Sequence, residues 1–530
     1  MVTEVRVSEA SVIAPPDPVR PAAFAGALRW LLVVLSAWYL GSYLTVALLR
    51  VGYPFELEWM EGTIADHVRR ILDGQPLYVP PSLEFVPFIY APLYFYASAG
   101  LAKVIGFSLL PLRLVSFIAS LACLALSYAF VRRETGSRFY GLVAAALFAA
   151  TFRVSGAWLD LARPDSLFLA LLLAGLYLAR FGSSALALAT GGLLFALSFH
   201  AKQTALFIVL PVMAGLLALR RLRALPFIGT FTVLGLGAMP VLNSIHHGWY
   251  NYYVFFLPAH GTLITPFLWK FWLNDLLLTV PVAGTLAAVW LVRQRDGIDR
   301  RARSFYSFAL AGVIAAAWSG RLHHGGYSNA LLPACAAFAA LGATGAWVLA
   351  RELKTTKPAG GRVTAVVYVA LIFQFGRLWY NPATLVPSRE DARAGKELVA
   401  ALAGLPGELF MPHHGYLPTL AGKQSYAHQM AICDVLNAGP SQAGGALVSE
   451  IVDAFERRRF GAIVLDHPCM FQDAVLANYD VRSRTFNNAD VFWTRSGART
   501  RPELILVPRT DVPPFPAADT NRRPPESRAE

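Results

Sequence analysis

Acidic side chains gather in one polar stretch directly after the first long apolar segment of the chain. Only 15% of all residues are charged, yet the stretch 55–74 contains Glu56, Glu58, Glu61 and Asp66. A carboxylate at an apolar boundary is costly to ionise, so its presence there usually marks a function. Desolvation also raises the basicity of such a group, which can then take a proton from a hydroxyl or an amine.

Cationic and further polar residues occur in three later stretches, each at the end of an apolar segment. They are Asp160, Arg163 and Asp165 in "WLDLARPDSL", Lys202 in "FHAKQTAL", and Arg321, His323 and Asn329 in "GRLHHGGYSNALLP". Arginine binds phosphate through paired hydrogen bonds and lysine acts as a point charge, so Arg163, Lys202 and Arg321 are predicted to hold a phosphate or pyrophosphate. Two structural alternatives stay open: Asp165 as an N-cap and Lys202 as a helix-end lysine that extends to the interface.

A base beside a phosphate clamp at a membrane surface predicts glycosyl transfer from a lipid-linked sugar. In that reaction a polyprenyl tail stays in the bilayer, and the sugar projects into a polar cavity. The prediction requires that the four polar stretches, which are far apart in the sequence, meet at one boundary of the membrane.

The composition indicates that membrane-spanning helices are the elements that position these residues. The 530 residues are 56% hydrophobic with a mean hydropathy of +0.48, and the longest apolar runs approach the ~20 residues that cross ~30 Å of hydrocarbon. The runs are continuous rather than alternating, which predicts helices and not β-strands. The eleven segments are Leu28–Leu49, Leu112–Val131, Gly141–Trp158, Ser166–Leu178, Leu186–Phe199, Leu206–Leu219, Phe227–Leu242, Leu276–Val292, Ser304–Trp318, Ala330–Leu349 and Val363–Leu378.

A twelfth apolar stretch, Phe85–Phe107, is predicted to lie at the membrane surface as a juxtamembrane or re-entrant element. It contains Pro87, Pro92, Lys103 and several aromatic residues, among them Tyr90. This composition suits an interface, where Tyr90 either belongs to an aromatic belt or contacts a sugar.

The distribution of basic residues predicts which side of the membrane each loop faces. With eleven crossings, the short loops on one side hold sixteen Lys and Arg residues and those on the other side hold five. The positive-inside rule then places the N-terminus in the cytoplasm and the polar stretches outside. The net charge of +13 is explained by these loops and by anionic lipid, so no nucleic-acid partner is expected.

The chain divides into four predicted regions. Residues 1–25 are polar and Pro-rich and predict a disordered cytoplasmic tail, and residues 26–380 form the transmembrane domain. Helical and strand patterns alternate over residues 381–510, which predicts a small extracytoplasmic α/β domain, and residues 511–530 form a second disordered tail. The predicted fold class is an α-helical polytopic membrane protein of about eleven transmembrane helices, with outer juxtamembrane helices and the α/β domain.

The first polar stretch resembles the first outer loop of the GT-C superfamily of polyprenyl-phosphate-sugar-dependent glycosyltransferases. In "MEGTIADHVRRILDGQPLY", Glu61 stands at the acidic position before a glycine, and the stretch ends in the glycine and tyrosine that close the family's helix. Met60 stands where the family has aspartate. Glu58 is the nearest other carboxylate, so the base stays open between Glu58 and Glu61.

Later stretches are similar to further motifs of this superfamily, in its branch with protein O-mannosyltransferases, lipid A aminoarabinose transferases and bacterial Rgt-type enzymes. They are "YAPLYFY", "ARPD", "AKQTAL" and "HHGGYSNALLPA", and the resemblance runs from about Leu28 to Tyr380. The resemblance implies a GT-C-like fold and an inverting transfer, in which a carboxylate activates the acceptor and the lipid phosphate departs.

The site and the partners follow as expectations. The expected catalytic residues are Glu61, Glu58 and Asp165, and the expected substrate-binding residues are Arg163, Lys202, Arg321, His323, Asn329 and Tyr90. No cofactor is expected, and a divalent metal, which some relatives use, is not favoured because cations already offset the phosphate. The expected partners are a polyprenyl-phosphate sugar, membrane lipid and an acceptor that is a glycan, a lipid or a protein. The alternatives are a lipid-linked saccharide transporter or flippase, or a noncatalytic relative that binds lipid-linked sugar.

Overall fold

The computed structural model describes residues 19–292, 300–356, 360–466 and 470–510. Residues 1–18 and 511–530, which make up most of the two predicted tails, lie outside the described residues. The first described helix begins at Val19, within the predicted tail of residues 1–25, and the boundary of that tail stays a prediction. Pro21 does not prevent this early start, because a proline in the first turn removes an N–H that has no helical partner there.

Residues 19–380 form the membrane half, which is entirely helical apart from its loops. Its helices are α1 Val19–Val51, α2 Glu61–Leu72, α3 Leu93–Ile105, α4 Leu109–Thr135, α5 Arg138–Ala150, α6 Asp165–Phe181, α7 Ala185–Ala201, α8 Ala205–Arg220, α9 Leu225–Phe231, α10 Ala238–Ile245, α11 Trp249–Asn251, α12 Leu257–His260, α13 Phe267–Lys270, α14 Pro281–Val292, α15 Arg300–Leu322, α16 Leu332–Thr356 and α17 Gly360–Arg377. Short π-helical turns lie at Thr232–Leu236, Tyr252–Phe256 and Phe271–Leu277.

Each of the eleven predicted apolar segments lies wholly or partly on a helix. By length and composition, five of the described helices are able to cross a membrane, or up to seven if each of two bent pairs counts as one crossing. Other apolar helices, such as α5 and α7, are shorter. A multi-span helical protein is therefore confirmed, whereas the number of eleven crossings stays a prediction.

The stretches Gly141–Trp158 and Phe85–Phe107 are among those that are helical over only part of their length. The segment Gly141–Trp158 is helical only as far as Ala150, and Gly156 and Ala157, with φ values of 87° and 58°, lie outside a right-handed helix. In the stretch Phe85–Phe107, only the 13 residues of α3 are helical. At ~1.5 Å per residue α3 is about 20 Å long, which is short for a crossing and fits the predicted surface position.

The C-terminal domain, residues 381–510, is the predicted small α/β unit. It contains α18 Arg389–Ala403, α19 Tyr416–Leu420, α20 Gln429–Asn437, α21 Gln442–Glu456, α22 Gln472–Asn478 and the strands β1 Glu408–Phe410, β2 Phe460–Leu465, β3 Tyr479–Arg484 and β4 Leu504–Pro508. The strand order is β1-β2-β4-β3, with β1 parallel to β2 and the other pairs antiparallel. The apolar run of β2 is buried at the centre of this sheet.

The C-terminal domain packs directly on the loops at one end of the membrane half. Ile64 of α2 shares a hydrophobic core with Ile432 of α20 and Leu447 of α21. The backbone N–H groups of Arg495 and Ser496 both donate to the carbonyl oxygen of Leu57, at 2.9 and 3.1 Å. The first polar stretch is therefore enclosed between the membrane half and the C-terminal domain.

Candidate active site

One cavity of about 640 Å³ lies where the C-terminal domain covers the ends of the membrane helices. Its polar lining residues include Glu58, Tyr90, Arg163, Asp165, Lys202, Gln203, His323, His324, Asn329 and Asp434. The wall thus brings together seven of the nine site residues predicted from the sequence, from stretches far apart in the chain. Glu61 and Arg321 are the two that are not among the described residues of the wall.

Glu58 is the acidic residue of the first stretch that faces this cavity. It precedes α2 and is fully buried, and its Oε2 lies 3.4 Å from Arg163 Nη1. Its Oε1 has no hydrogen-bond partner among the described residues. Burial raises the pKa of Glu58 to about 7, although Arg163 acts in the opposite direction. A carboxyl group with this pKa and an unpaired oxygen is suited to accept a proton from a substrate.

Gly497 of the C-terminal domain packs against Glu58. Its φ is +69°, and a Cβ at this position would lie 2.9 Å from Glu58 Cγ and 3.1 Å from the ring of Trp158. Only glycine combines this backbone conformation with so close an approach. The C-terminal domain therefore contributes directly to the burial of Glu58.

Glu61, by contrast, is held by hydrogen bonds within the fold. Arg113 Nε and Nη2 donate to its two carboxylate oxygens at 3.0 and 2.6 Å. The backbone N–H groups of Leu57 and Ala162 donate to the same oxygens, each at 2.7 Å. Burial alone would raise the pKa of Glu61, but Arg113 and the two N–H groups outweigh it and lower the pKa. A carboxylate with four donors is a weak base and serves the structure.

Arg113 is a residue that the sequence analysis missed. It is fully buried in α4, and besides Glu61 it donates to the carbonyl oxygens of Tyr53 and Phe55 at 2.6 and 2.7 Å. An arginine inside the otherwise apolar start of α4 was the available signal, because a charge in such a helix usually has a buried partner.

The other two acidic residues of the first stretch bind the C-terminal domain. Glu56 pairs with His414 Nδ1, and His414 Nε2 lies 2.9 Å from Asp466 Oδ2. Burial opposes the protonated form of His414, but Asp466 and Glu56 outweigh burial and raise its pKa to about 10. Asp66 accepts a hydrogen bond of 2.7 Å from Ser425 Oγ. Of the four clustered acids, Glu58 alone lines the described cavity wall.

Arg163 is the cation closest to Glu58. Its Nη2 donates to Tyr90 Oη at 2.7 Å, and its guanidinium lies over the rings of Tyr90 and Trp158. Its Nε has no hydrogen-bond partner among the described residues. Arg163 is therefore held in place by aromatic side chains while it keeps a donor for a bound anion.

Lys202 is the second cation of the wall and is positioned by Asp165. Lys202 Nζ lies 2.6 Å from Asp165 Oδ1, which also accepts a 2.9 Å hydrogen bond from Asn329 Nδ2. Asp165 Oδ2 is buried without a partner among the described residues. Asp165 is the first residue of α6, and no side-chain cap is formed there. Asp165 therefore pairs with Lys202 and is not the N-cap of α6.

Arg321 and His323 differ in position although they are two residues apart. Arg321 pairs with Asp275 at 2.7 Å, donates to the carbonyl oxygen of Gly326 at 2.6 Å and lies over the ring of Phe267. These contacts fix the turn after α15 and leave Arg321 outside the described cavity wall. His323 is in the wall, and its Nδ1 lies 2.7 Å from the carbonyl oxygen of Ser319.

The C-terminal domain adds cavity residues that the sequence analysis did not identify. Met430 and Asp434 of α20 and Ala498 line the wall, together with Trp59 and Trp158 from the membrane half. No local pattern in the sequence distinguishes Asp434, because its proximity to Arg163 results from the docking of two domains.

The described residues contain no group of three or more His, Cys, Asp or Glu side chains arranged to hold a metal ion. The expected independence from cofactors and metals stays a prediction.

Comparisons with known proteins identify the fold. Residues 89–243 match the family model described as dolichyl-phosphate-mannose-protein mannosyltransferase. The structure of ArnT from Cupriavidus metallidurans bound to undecaprenyl phosphate aligns with a TM-score of 0.54 at 12% identity, over 90% of this chain and 97% of that one. The apo state of the same ArnT aligns with a TM-score of 0.53 at 13% identity, over 91% and 98% of the two chains.

A weaker likeness links the chain to the archaeal oligosaccharyltransferase AglB from Archaeoglobus fulgidus, with a TM-score of 0.43 at 11% identity, over 81% of this chain and 69% of that one. No curated protein matches the chain by sequence. The fold is that of the solved ArnT structures, with which the chain aligns over nearly the whole length of both chains. The family match over residues 89–243 and the shared fold support the resemblance drawn from the polar stretches.

Proposed function

We propose that this protein is an integral membrane glycosyltransferase. It moves a sugar from a polyprenyl-phosphate donor to an acceptor at the outer face of the cytoplasmic membrane, with inversion and with Glu58 as general base. The observation that carries the proposal is the position of Glu58, whose unpaired Oε1 shares one cavity with Arg163 and Lys202. The family match and the undecaprenyl phosphate bound to ArnT support the class of donor.

The proposed reaction is a single displacement at the anomeric carbon. The acceptor oxygen or nitrogen forms a bond to this carbon and loses its proton to Glu58, while the bond from the carbon to the phosphate oxygen breaks. The electron pair leaves with the lipid phosphate. Attack from the face opposite the phosphate inverts the configuration, and the raised pKa of Glu58 matches the base to neutral pH.

Arg163 and Lys202 are proposed to bind the phosphate of the donor. Both are fixed by neighbours, Arg163 by aromatic rings and Lys202 by Asp165 and Asn329, so little side-chain freedom is lost on binding. Charge-assisted hydrogen bonds from these groups stabilise the phosphate as negative charge develops on it. Asp165 acts as a positioning residue through Lys202.

The apolar part of the cavity is proposed to admit the lipid. It is lined by Leu206 and Phe207 of α8 and by Ala316 of α15. Phe207 is also exposed on the surface of the helix bundle. An apolar passage beside a cation pair suits a prenyl chain attached to a phosphate. The excess of basic residues in the opposite loops supports an outer location for the cavity and for the C-terminal domain, with the N-terminus in the cytoplasm.

The decisive experiment incubates the purified protein with radiolabelled undecaprenyl-phosphate sugars and measures release of undecaprenyl phosphate. Wild type is expected to release it, also in EDTA, and Glu58→Gln is expected to lose 10²- to 10⁴-fold in rate, roughly the contribution of a general base. Glu397→Gln, an exposed glutamate of α18, is the matched control and should behave as wild type.

Transport of the intact donor across vesicles without its cleavage would instead identify a flippase. An unchanged rate in Glu58→Gln would remove Glu58 as the base, and binding of donor without either reaction would indicate a noncatalytic protein.

A further inference from the structure

Helix α20 of the C-terminal domain forms part of the cavity wall, near Arg163. Met430 and Asp434, four residues apart on one face of α20, line the cavity, whereas Ala431, Ile432 and Val435 are buried in the core of the domain. Helical spacing therefore separates a face used by the fold from a face presented to the cavity.

Contacts with the loop 323–326 fix the position of α20. A Cβ on Gly325 would lie 2.2 Å from Met430 Cε, so the thioether rests directly on this glycine. Asn437 Nδ2 lies 3.3 Å from His324 Nδ1 at the other end of the same face. The face of α20 is thus held at both ends, with Asp434 between them.

Asp434 is the residue of this face that no fold contact explains. It makes no hydrogen bond or ion pair with any described residue, and Arg163 is the charged group that most affects it. Burial raises the pKa of Asp434 to about 7. A half-buried aspartate that lines the cavity without a hydrogen-bond partner among the described residues is placed to bind a ligand.

The chemistry of this wall indicates what that ligand is. A carboxylate repels a phosphate, so Asp434 itself is unsuited to contact the anionic part of the donor. Hydroxyl groups donate to a carboxylate, and the C–H face of a sugar packs on apolar surfaces such as Met430 and Trp59. Both features occur in one wall.

We propose that α20 is the acceptor-binding wall of the cavity, that Asp434 accepts hydrogen bonds from acceptor hydroxyls, and that the acceptor is a saccharide. This inference rests on the proposed transfer reaction. It assigns to the C-terminal domain the selection of the acceptor, while the membrane half binds the donor.

The test compares acceptors and variants in one assay with radiolabelled undecaprenyl-phosphate hexose as donor. The acceptor probes are methyl α- and β-hexosides and a threonine-containing peptide. Wild type is expected to transfer to a hexoside, and Asp434→Asn is expected to raise the KM for that hexoside about 10- to 100-fold, as for the loss of hydrogen bonds to a charged group. The KM for the donor and binding of undecaprenyl phosphate should stay within about twofold, which a merely misfolded variant would not show.

Asp453→Asn is the matched control, because Asp453 is an exposed aspartate of α21 paired only on the surface with Arg457. Donor cleavage with transfer to the peptide, or to none of the hexosides, would overturn the saccharide assignment while leaving the transferase intact. An unchanged hexoside KM in Asp434→Asn would overturn the role of Asp434. Absence of donor cleavage under every condition would instead overturn the proposed function itself.

Discussion

Glu58 and Glu61 are three residues apart and equally buried, yet their surroundings are opposite. Glu61 receives four hydrogen bonds, two of them from Arg113, and its pKa is lowered. Glu58 has a 3.4 Å contact with Arg163, a backbone hydrogen bond from Met60 and an Oε1 without a partner among the described residues, and burial raises its pKa to about 7. The comparison separates two uses of a buried carboxylate: donors directed at both oxygens make a structural anion, whereas burial with few donors makes a base.

The hydrogen bonds of Glu61 also help to position Glu58. Glu61 ties Arg113 of α4 and the N–H of Ala162 to the start of α2. These bonds fix the turn that contains Glu58 and place it beside Arg163. A rigid, fully paired neighbour thus supports a poorly paired functional residue.

The largest expected effect comes from replacing the structural carboxylate. Glu61→Gln leaves Arg113 buried without a negative partner, which is expected to cost about 3–5 kcal/mol in the free energy of unfolding. Thermal unfolding of the purified protein measures this loss, with Glu397→Gln as the exposed control. A Glu61→Gln protein of normal stability and abolished turnover would reverse the roles assigned to the two glutamates.

A smaller effect is expected at the cation that faces the cavity. Lys202→Met removes a charge proposed to bind the donor phosphate, and the KM for the donor is expected to rise roughly 10- to 100-fold. Lys270→Met, at an exposed lysine of α13, is the matched control and should leave donor binding unchanged. An unaltered KM for the donor in Lys202→Met would show that Lys202 pairs with Asp165 but does not bind the donor.

The pH dependence of turnover tests the basicity of Glu58. The base must be deprotonated, so the rate is expected to rise with pH up to its pKa of about 7, by about tenfold per unit at the acid side, and to level off above it. Rates measured from pH 5 to 9 provide the profile. A midpoint near the ordinary glutamate value would mean that Glu58 is not the titrating base.

The smallest expected effect concerns the contact between the C-terminal domain and the first polar stretch. The pKa of His414 is raised to about 10 by Asp466 and Glu56, so its charged form stabilises the folded state. This contribution is fully present below about pH 6.5, the ordinary histidine value, and is lost as the pH rises toward 10. The unfolding temperature of wild type should fall over this window more than that of His414→Gln, and parallel curves for the two proteins would contradict the assignment.

The sequence was sufficient to predict the helical membrane architecture, the C-terminal α/β domain and the convergence of most site residues. Apolar runs and basic loops are defined by their composition, so they can be identified in the sequence without knowledge of contacts. The ends of such runs contain Arg163, Asp165 and Lys202, which therefore lie at the same boundary of the membrane half. Their catalytic and binding roles stay predictions.

The predicted site residues that lie outside the described cavity wall, Glu61 and Arg321, have a common physical explanation. Whether Glu61 or Arg321 faces a cavity depends on partners such as Arg113 and Asp275, which the fold brings from distant segments. Asp434 reaches the cavity only because a second domain docks there. The sequence around a charged residue does not show which distant partner it will bind. Residue type and spacing alone therefore did not separate the charges paired within the fold from those that line the cavity.

The bond between Arg50 Nη1 and Ser496 Oγ, 3.2 Å long, joins the first helix to a residue near the end of the chain. Ser496 and its neighbour Arg495 also donate their N–H groups to Leu57, and Gly497 rests on Glu58. Contacts between residues so distant in sequence form only after the intervening chain has been made. During biosynthesis the cavity therefore stays incomplete until residues 495–497 have left the ribosome, and a nascent chain that stalls before residue 495 lacks the segment that covers Glu58.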